Sequence, residues 1–107
     1  MARQRTVTPR AVKRAERAIG ADMRRWRQLQ KLTASEVADR AGVSPDTVGR
    51  LERGEGVTFE NMLRIARALG VIDLLTAAVD PYESAIGRLR SEEVLPERVR
   101  RSGKDTS

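Results

Sequence analysis

TASEVADRAGVSPDTVGRLERGE, residues 33–55, reads as two short helices joined by a tight turn. Thr33 and Glu36 stand as T-x-x-E, the capping-box spacing that satisfies free amides at a helix start. Val37, Ala38 and Ala41 then fall at helical spacing on one face. Gly42 follows, where the helix must end in a left-handed conformation that glycine adopts at low cost. Val43 is a short apolar plug. Ser44-Pro45-Asp46 opens a second helix, with Ser at N-cap, Pro at N1 and an acid in the positive first turn. Val48 and Leu51 continue its buried stripe, and Gly54 ends it. Arg50 and Arg53 lie off that stripe and must face outward. Ala38 and Gly42 are small where two crossing helices need close approach. Two helices separated by about four residues, with Gly at the bend, form the helix-turn-helix pattern.

The details of the stretch carry a resemblance. A-x-x-x-G-V-S at 38–44, followed by R-L-E-R-G at 50–54, resembles the helix-turn-helix of lambda-type phage repressors, the Xre family. The likeness runs from Met23 to Leu75, about half the chain. It implies an all-α, lambda repressor-like five-helix DNA-binding domain. It implies that the second motif helix enters the major groove of double-stranded DNA. Pro45, Asp46, Gly49 and Arg50 are then the positions facing base edges. The planar fork of Arg50 suits the O6 and N7 of guanine. Asp46 either accepts from cytosine N4 or favours the helix dipole. Gly49 permits close approach, and Pro45 suits a thymine methyl. Phosphate contacts fall to Ser44, Thr47, Arg53, Arg40 and the amides at helix starts. The resemblance also implies that Arg27 pairs with Glu52, fixing helix placement more than adding stability. One position departs from the family pattern: Ala34 stands where Gln is usual.

The chain is 107 residues long with net charge +6, which fits one domain with tails. Residues 1–31 hold ten Lys/Arg against two acids, residues 32–80 five against eight, and residues 81–107 six against five. The positive charge is thus concentrated in the N-terminal third, which favours a polyanion as partner, with nucleic acid ahead of a membrane surface. No apolar run approaches the roughly 20 residues of a spanning helix. No apolar stretch of signal-peptide type follows the basic N-terminus, so a cytoplasmic location is expected. Cys and His are both absent, which removes thiolate chemistry and the commonest general base and metal ligand. The acids sit at caps or on exposed helix faces. Gly54-Glu55-Gly56 is no phosphate loop. No catalytic residue, metal site or cofactor is expected, and the chain is not expected to be an enzyme.

Helices are expected at 9–31, 34–41, 45–53, 59–69 and 72–79, with a short sixth at 81–90. Thr8-Pro9 reads as the N-cap and N1 of the first. Val12, Ala15, Ile19, Met23 and Trp26 make its apolar face, and Trp26 is expected in the core. The opposite face is nearly all Arg and Lys, either solvated or facing phosphate. Residues 1–16 then form a basic arm and helix start, and Arg3 and Arg5 resemble the arm that wraps the duplex in lambda-type repressors. Residues 17–80 form the DNA-binding domain. In its fourth helix Phe59, Met62, Leu63, Ala66 and Leu69 are expected to be buried, with Thr58 as cap and Gly70 as stop. The fifth helix is apolar almost all round and needs a second cover. Ile72, Leu75 and Val79 on it, with Tyr82, Ile86 and Leu89 beyond, suit a homodimer or partner interface.

Three functions remain open. One is a repressor of its own operon, acting as a homodimer on a pseudo-palindromic operator. The second is an antitoxin, binding a toxin through residues 81–107; the extension resembles tails on Xre regulators encoded beside kinase-like toxins. The third is a coactivator whose motif contacts protein. Arg50, Arg53, Ser44 and Thr47 at the helix surface favour DNA over the third.

Overall fold

A computed structural model describes residues 6–94, and every regular element among these is helical. In order they are α1 (Arg10–Leu29), α2 (Ala34–Ala41), α3 (Pro45–Glu52), α4 (Phe59–Leu69), α5 (Ile72–Ala78), a 3-10 turn (Pro81–Glu83) and α6 (Ala85–Val94). Arg3 and Arg5 of the expected arm lie outside the described residues, as does the stretch beyond α6. The chain divides into two units between Ile72 and Asp73.

Local chemistry sets the helix limits of the first unit. Thr33 Oγ1 accepts from the Glu36 amide at 3.0 Å while the Thr33 amide donates to Glu36 Oε1 at 2.8 Å, closing the capping box of α2. Thr58 Oγ1 accepts from the Asn61 amide at 3.0 Å and starts α4. Three helices end in a left-handed glycine, at Gly42, Gly54 and Gly70. In each, the amide of the next residue donates back to the carbonyl five residues earlier, as in Val43 to Ala38 at 3.0 Å. Helix α1 ends the same way, but its left-handed residue is Lys31, at φ 58°. That turn stops α1 at Leu29, two residues before the expected end. At its other end Pro9 is the N-cap and makes no side-chain cap, so Thr8 does not play that part and the helix begins at Arg10.

The core is Met23, Val37, Ala38, Ala41, Val48, Leu51, Ile65, Ala66, Leu69 and Val71. Helix α2 packs on both α3 and α4, and α1 packs on α3. Four expected core positions are not in it, of which Met62 and Leu63 are half-buried. Phe59 is 75 % exposed. It is the first residue of α4, and the buried stripe runs through Ile65, Ala66 and Leu69 instead. Trp26 is 38 % exposed, and Val12 and Ile19 are exposed as well. The face of α1 that turns inward carries Glu16, Gly20, Met23 and Arg27, about one residue round from the apolar stripe. Gly20 explains the offset. A Cβ there would overlap the carbonyl oxygen of Leu51, so the bare backbone of α1 rests on the last turn of α3. Gly54 is the matching surface: its Cβ would stand 2.8 Å from Arg17 Cα. Between these two glycines the helices meet backbone to backbone, and the residues flanking Gly20 set which face is covered.

The second unit begins with α5, which has no buried residue. Asp80 Oδ1 accepts from the Tyr82 amide at 2.9 Å and opens the 3-10 turn. The expected single helix over 81–90 does not form. Ser84 is extended, at φ −121° and ψ 150°, and interrupts it. The Ser84 hydroxyl then accepts from the Gly87 amide at 2.9 Å, which starts α6 four residues later than expected. A second cap thus replaces the first, and α6 continues past Arg90 to Val94. Val79, Ile86 and Leu89 are all exposed, and Tyr82 is partly covered.

Candidate nucleic-acid interface

Helix α3 has only eight residues, too few to be stable alone in water. Its surroundings fix it at three places. At its start, Ser44 Oγ accepts from the Thr47 amide at 3.1 Å, and the two hydroxyls share a hydrogen bond at 2.9 Å. On its inner face Val48 and Leu51 are buried. At its end, Arg27 of α1 grips Glu52 with two parallel bonds, Nε to Oε2 at 2.7 Å and Nη2 to Oε1 at 2.9 Å. The side chains are 16 % and 12 % exposed, so the pair is mostly withdrawn from water. Arg27 Nη1 also donates to the Leu32 carbonyl at 3.0 Å, across the turn that ends its own helix. The Glu52 bond holds the guanidinium protonated above its ordinary range.

The outer face of α3 is left to solvent. Ser44, Pro45, Asp46, Arg50 and Arg53 are exposed, and Thr47 and Gly49 are partly covered. These residues share one surface because none is needed for the contacts with α1 and α2. Arg40 is exposed on the last turn of α2. Pro45 has no amide hydrogen and the Thr47 amide is taken by Ser44, which leaves the Asp46 amide at the start of α3, and the Asp46 carboxylate in the first turn suits the positive end of the helix.

The arginines are not extended into solvent. Arg50 Nη2 donates to the Gly56 carbonyl at 2.7 Å, and Arg50 Nε lies 4.0 Å from Glu55 Oε1. Arg53 donates to the same carboxylate, Nε to Oε2 at 2.9 Å and Nη2 to Oε1 at 3.3 Å. Arg53 folds across Gly49, whose absent side chain makes room: a Cβ there would come within 3.0 Å of Arg53 Nη1. The Arg53 bonds lower the Glu55 carboxyl below its ordinary range, and the Glu55 bonds raise the Arg53 guanidinium. A groove of about 390 Å³ runs beside this group, lined by Thr47, Arg50, Gly56, Val57, Thr58 and Asn61. The sequence reading left Gly56, Asn61 and Glu55 out of the site. The clue lay in the spacing, since an acid two residues after Arg53 and beyond a left-handed glycine is folded back toward the helix.

No group of acids among the described residues is disposed to hold a metal ion, and no described helix is long and apolar enough to cross a membrane. A helix-turn-helix family model matches residues 23–74, covering the last two turns of α1 through the first residues of α5. No curated protein and no solved structure matches the chain. The match takes in both motif helices, the Arg27–Glu52 pair and the glycine-stopped helices that hold α3 in place. Through residues 23–74 the chain belongs to the Xre, or lambda repressor-like, helix-turn-helix family of DNA-binding regulators.

Proposed function

We propose that the chain is a sequence-specific transcriptional regulator of double-stranded DNA, a repressor of its own operon, that reads the major groove with residues 45–53. The observation that carries this reading is the division of α3 into a buried face, Val48 and Leu51, and a polar face that no packing contact uses. Pro45, Asp46, Gly49 and Arg50 face base edges, and Arg50 supplies the guanine contact. Ser44, Thr47, Arg53 and Arg40 contact phosphate, as do Arg3 and Arg5 of the basic arm. Those contacts position the helix without reading sequence. Arg27 and Glu52 hold the helix and touch no DNA.

Selection of duplexes from a random pool, followed by titration of the enriched duplex, tests this. Arg50→Ala should cost about 1–3 kcal/mol on that duplex and relax the preference at one base pair. Deletion of residues 1–8 should weaken binding to all sequences alike and flatten its salt dependence. An Arg50→Ala protein that binds enriched and random duplexes as the parent does would refute the assignment of α3.

The second unit supports a further part of the proposal. Its exposed Val79, Ile86 and Leu89 form apolar surface with no cover among the described residues. We assign Ile72, Leu75, Val79, Tyr82, Ile86 and Leu89 to a homodimer contact. A two-fold dimer would set two recognition helices about 34–36 Å apart on one face of a pseudo-palindromic operator. The competing use of the same surface, and of residues 81–107 generally, is to bind a toxin, which would make the chain an antitoxin that also represses its operon. Sedimentation at micromolar concentration separates them. A monomer with and without the enriched duplex, unchanged by Leu75→Glu or Ile86→Glu, removes the dimer and leaves toxin binding as the better reading.

A further inference from the structure

The carboxylate of Glu55 stands where a DNA-binding surface has least use for negative charge. It lies one residue beyond the glycine that ends the α3 turn, half exposed, and takes both hydrogen bonds of Arg53. It also stands 4.0 Å from Arg50, whose guanidinium is held by the neighbouring Gly56 carbonyl. Both arginines of the outer face are therefore committed to one short loop, residues 55–56. A phosphate approaching this surface meets Arg53 already neutralised and an anion close behind it. At about 4 Å two unit charges interact by about 1 kcal/mol even in bulk water, so this carboxylate opposes each nearby phosphate measurably.

We propose that Glu55 is a specificity-determining residue that suppresses sequence-independent binding by holding Arg50 and Arg53 off the DNA backbone. The inference rests on the reading of α3 as the recognition helix. A random duplex offers only phosphates, and these must compete with Glu55 for Arg53 and with the Gly56 carbonyl for Arg50. A duplex with guanine in register offers Arg50 two acceptors in the plane of its fork, a stronger inducement to leave the carbonyl. Glu55 thus lowers affinity for both kinds of DNA but lowers it more for the random kind. The turn itself does not depend on this side chain, which accepts from Arg53 and from no backbone amide there, the left-handed geometry being carried by Gly54.

The test is fluorescence anisotropy of the full chain on a short random-sequence duplex, between about 50 and 200 mM salt, comparing the parent with Glu55→Gln. Asp22→Asn serves as control. It makes the same charge change and likewise releases an exposed arginine, since Asp22 pairs with Arg25 on α1 at 2.6 Å. Glu55→Gln should bind the random duplex about three- to tenfold tighter and steepen the salt slope by about one unit. The control should move affinity much less. Glu55→Gln matching Asp22→Asn, or binding more weakly than the parent, overturns the proposal while the α3 assignment stands. Failure of both the parent and Glu55→Gln to bind any duplex at the lowest salt, the enriched one included, overturns both.

Discussion

Removing either partner of the Arg27–Glu52 pair should unfold the first unit far more readily than its surface charges suggest. Exposed pairs such as Arg64–Glu60, at 49 % and 74 % side-chain exposure, are worth at most about 1 kcal/mol. The Arg27–Glu52 pair is bidentate and only 16 % and 12 % exposed. Breaking a fully buried pair by removing one partner costs about 3–5 kcal/mol, because the remaining charge stays desolvated. The residual access to water here reduces that to about 2–4 kcal/mol. Glu52→Ala leaves the Arg27 guanidinium with the Leu32 carbonyl as its remaining acceptor. Arg27→Met leaves the Glu52 carboxylate without its donor. In the double variant Arg27→Met with Glu52→Leu no charge remains to be solvated, so stability should return to within about 1 kcal/mol of the parent.

Urea unfolding measures this directly. Trp26 is the sole tryptophan and neighbours Arg27 in the chain, so its fluorescence reports the junction while circular dichroism reports the helices. Both probes should give the same midpoint, with unchanged denaturant slope. The loss should persist at about 1 M salt, where exposed pairs are screened within about 3 Å. Single variants costing under about 1 kcal/mol, or a cost that disappears in salt, would show that the pair behaves as a surface contact and does not fix α3.

Three further outcomes are expected in the same assay. Gly20→Ala should destabilise by about 1–2 kcal/mol, although Ala is favoured over Gly by about 1 kcal/mol in a helix, because its Cβ would overlap Leu51 O; a gain in stability would mean that α1 does not rest on α3 there. Lys31→Gly should stabilise by about 0.5–1 kcal/mol, since Lys31 holds φ 58° where the other three stops are glycine; no change would mean that the left-handed turn is not strained. Stability should also fall in acid. Glu36 is lowered from its ordinary value near 4.5 by its bond from the Thr33 amide, and Glu55 by its bonds from Arg53. A depressed carboxylate stabilises fully above its unfolded value and loses that contribution as pH falls through its folded value. The loss should therefore set in below about pH 4.5 and shrink in Glu36→Gln, and equal pH profiles for parent and variant would count against it.

Sequence reading succeeds here where the deciding chemistry is local. Thr33 with Glu36, Ser44 with Pro45, Thr58, Gly42 and Gly70 each fix a helix end through contacts within a few residues, so α2, α3 and α4 were legible almost to the residue. It fails where a partner far along the chain decides. The apolar stripe of α1 points to Val12, Ile19 and Trp26, but the buried face is chosen by the meeting of Gly20 with the α3 carbonyls, about 30 residues away. Phe59 carries the right residue type and period but opens α4, ahead of the residues that helix buries, Ile65, Ala66 and Leu69. In the second unit two caps in succession, Asp80 and Ser84, both fit the local rules. Only the extended backbone of Ser84 decides that a 3-10 turn separates them. The outer face of α3 was legible as a set of exposed residues. The commitment of its arginines to Glu55 and Gly56 was not, because side-chain direction beyond a left-handed turn depends on the fold of that turn.

The placement of α3 has a consequence for how such a surface can change. An eight-residue helix contributes little stability by itself, so its rigidity is supplied from outside. The suppliers are the Ser44 cap, the Val48 and Leu51 face, the Arg27–Glu52 pair and the backbone contact at Gly20 and Gly54. Pro45, Asp46, Gly49 and Arg50 lend no side-chain contact to any of these. Substitutions at Asp46 and Arg50 should therefore alter what is bound with little effect on folding, since exposed positions away from caps and cores usually shift stability by less than about 0.5 kcal/mol. Ser44 differs, because the hydroxyl available to phosphate is the one that caps the helix, and it also shares a bond with Thr47 Oγ1. A phosphate that accepts from Ser44 Oγ–H leaves its lone pairs free to keep the Thr47 amide, so cap and contact coexist. Losing the hydroxyl removes both, and Ser44→Ala should weaken binding to every sequence while also costing about 1 kcal/mol of stability.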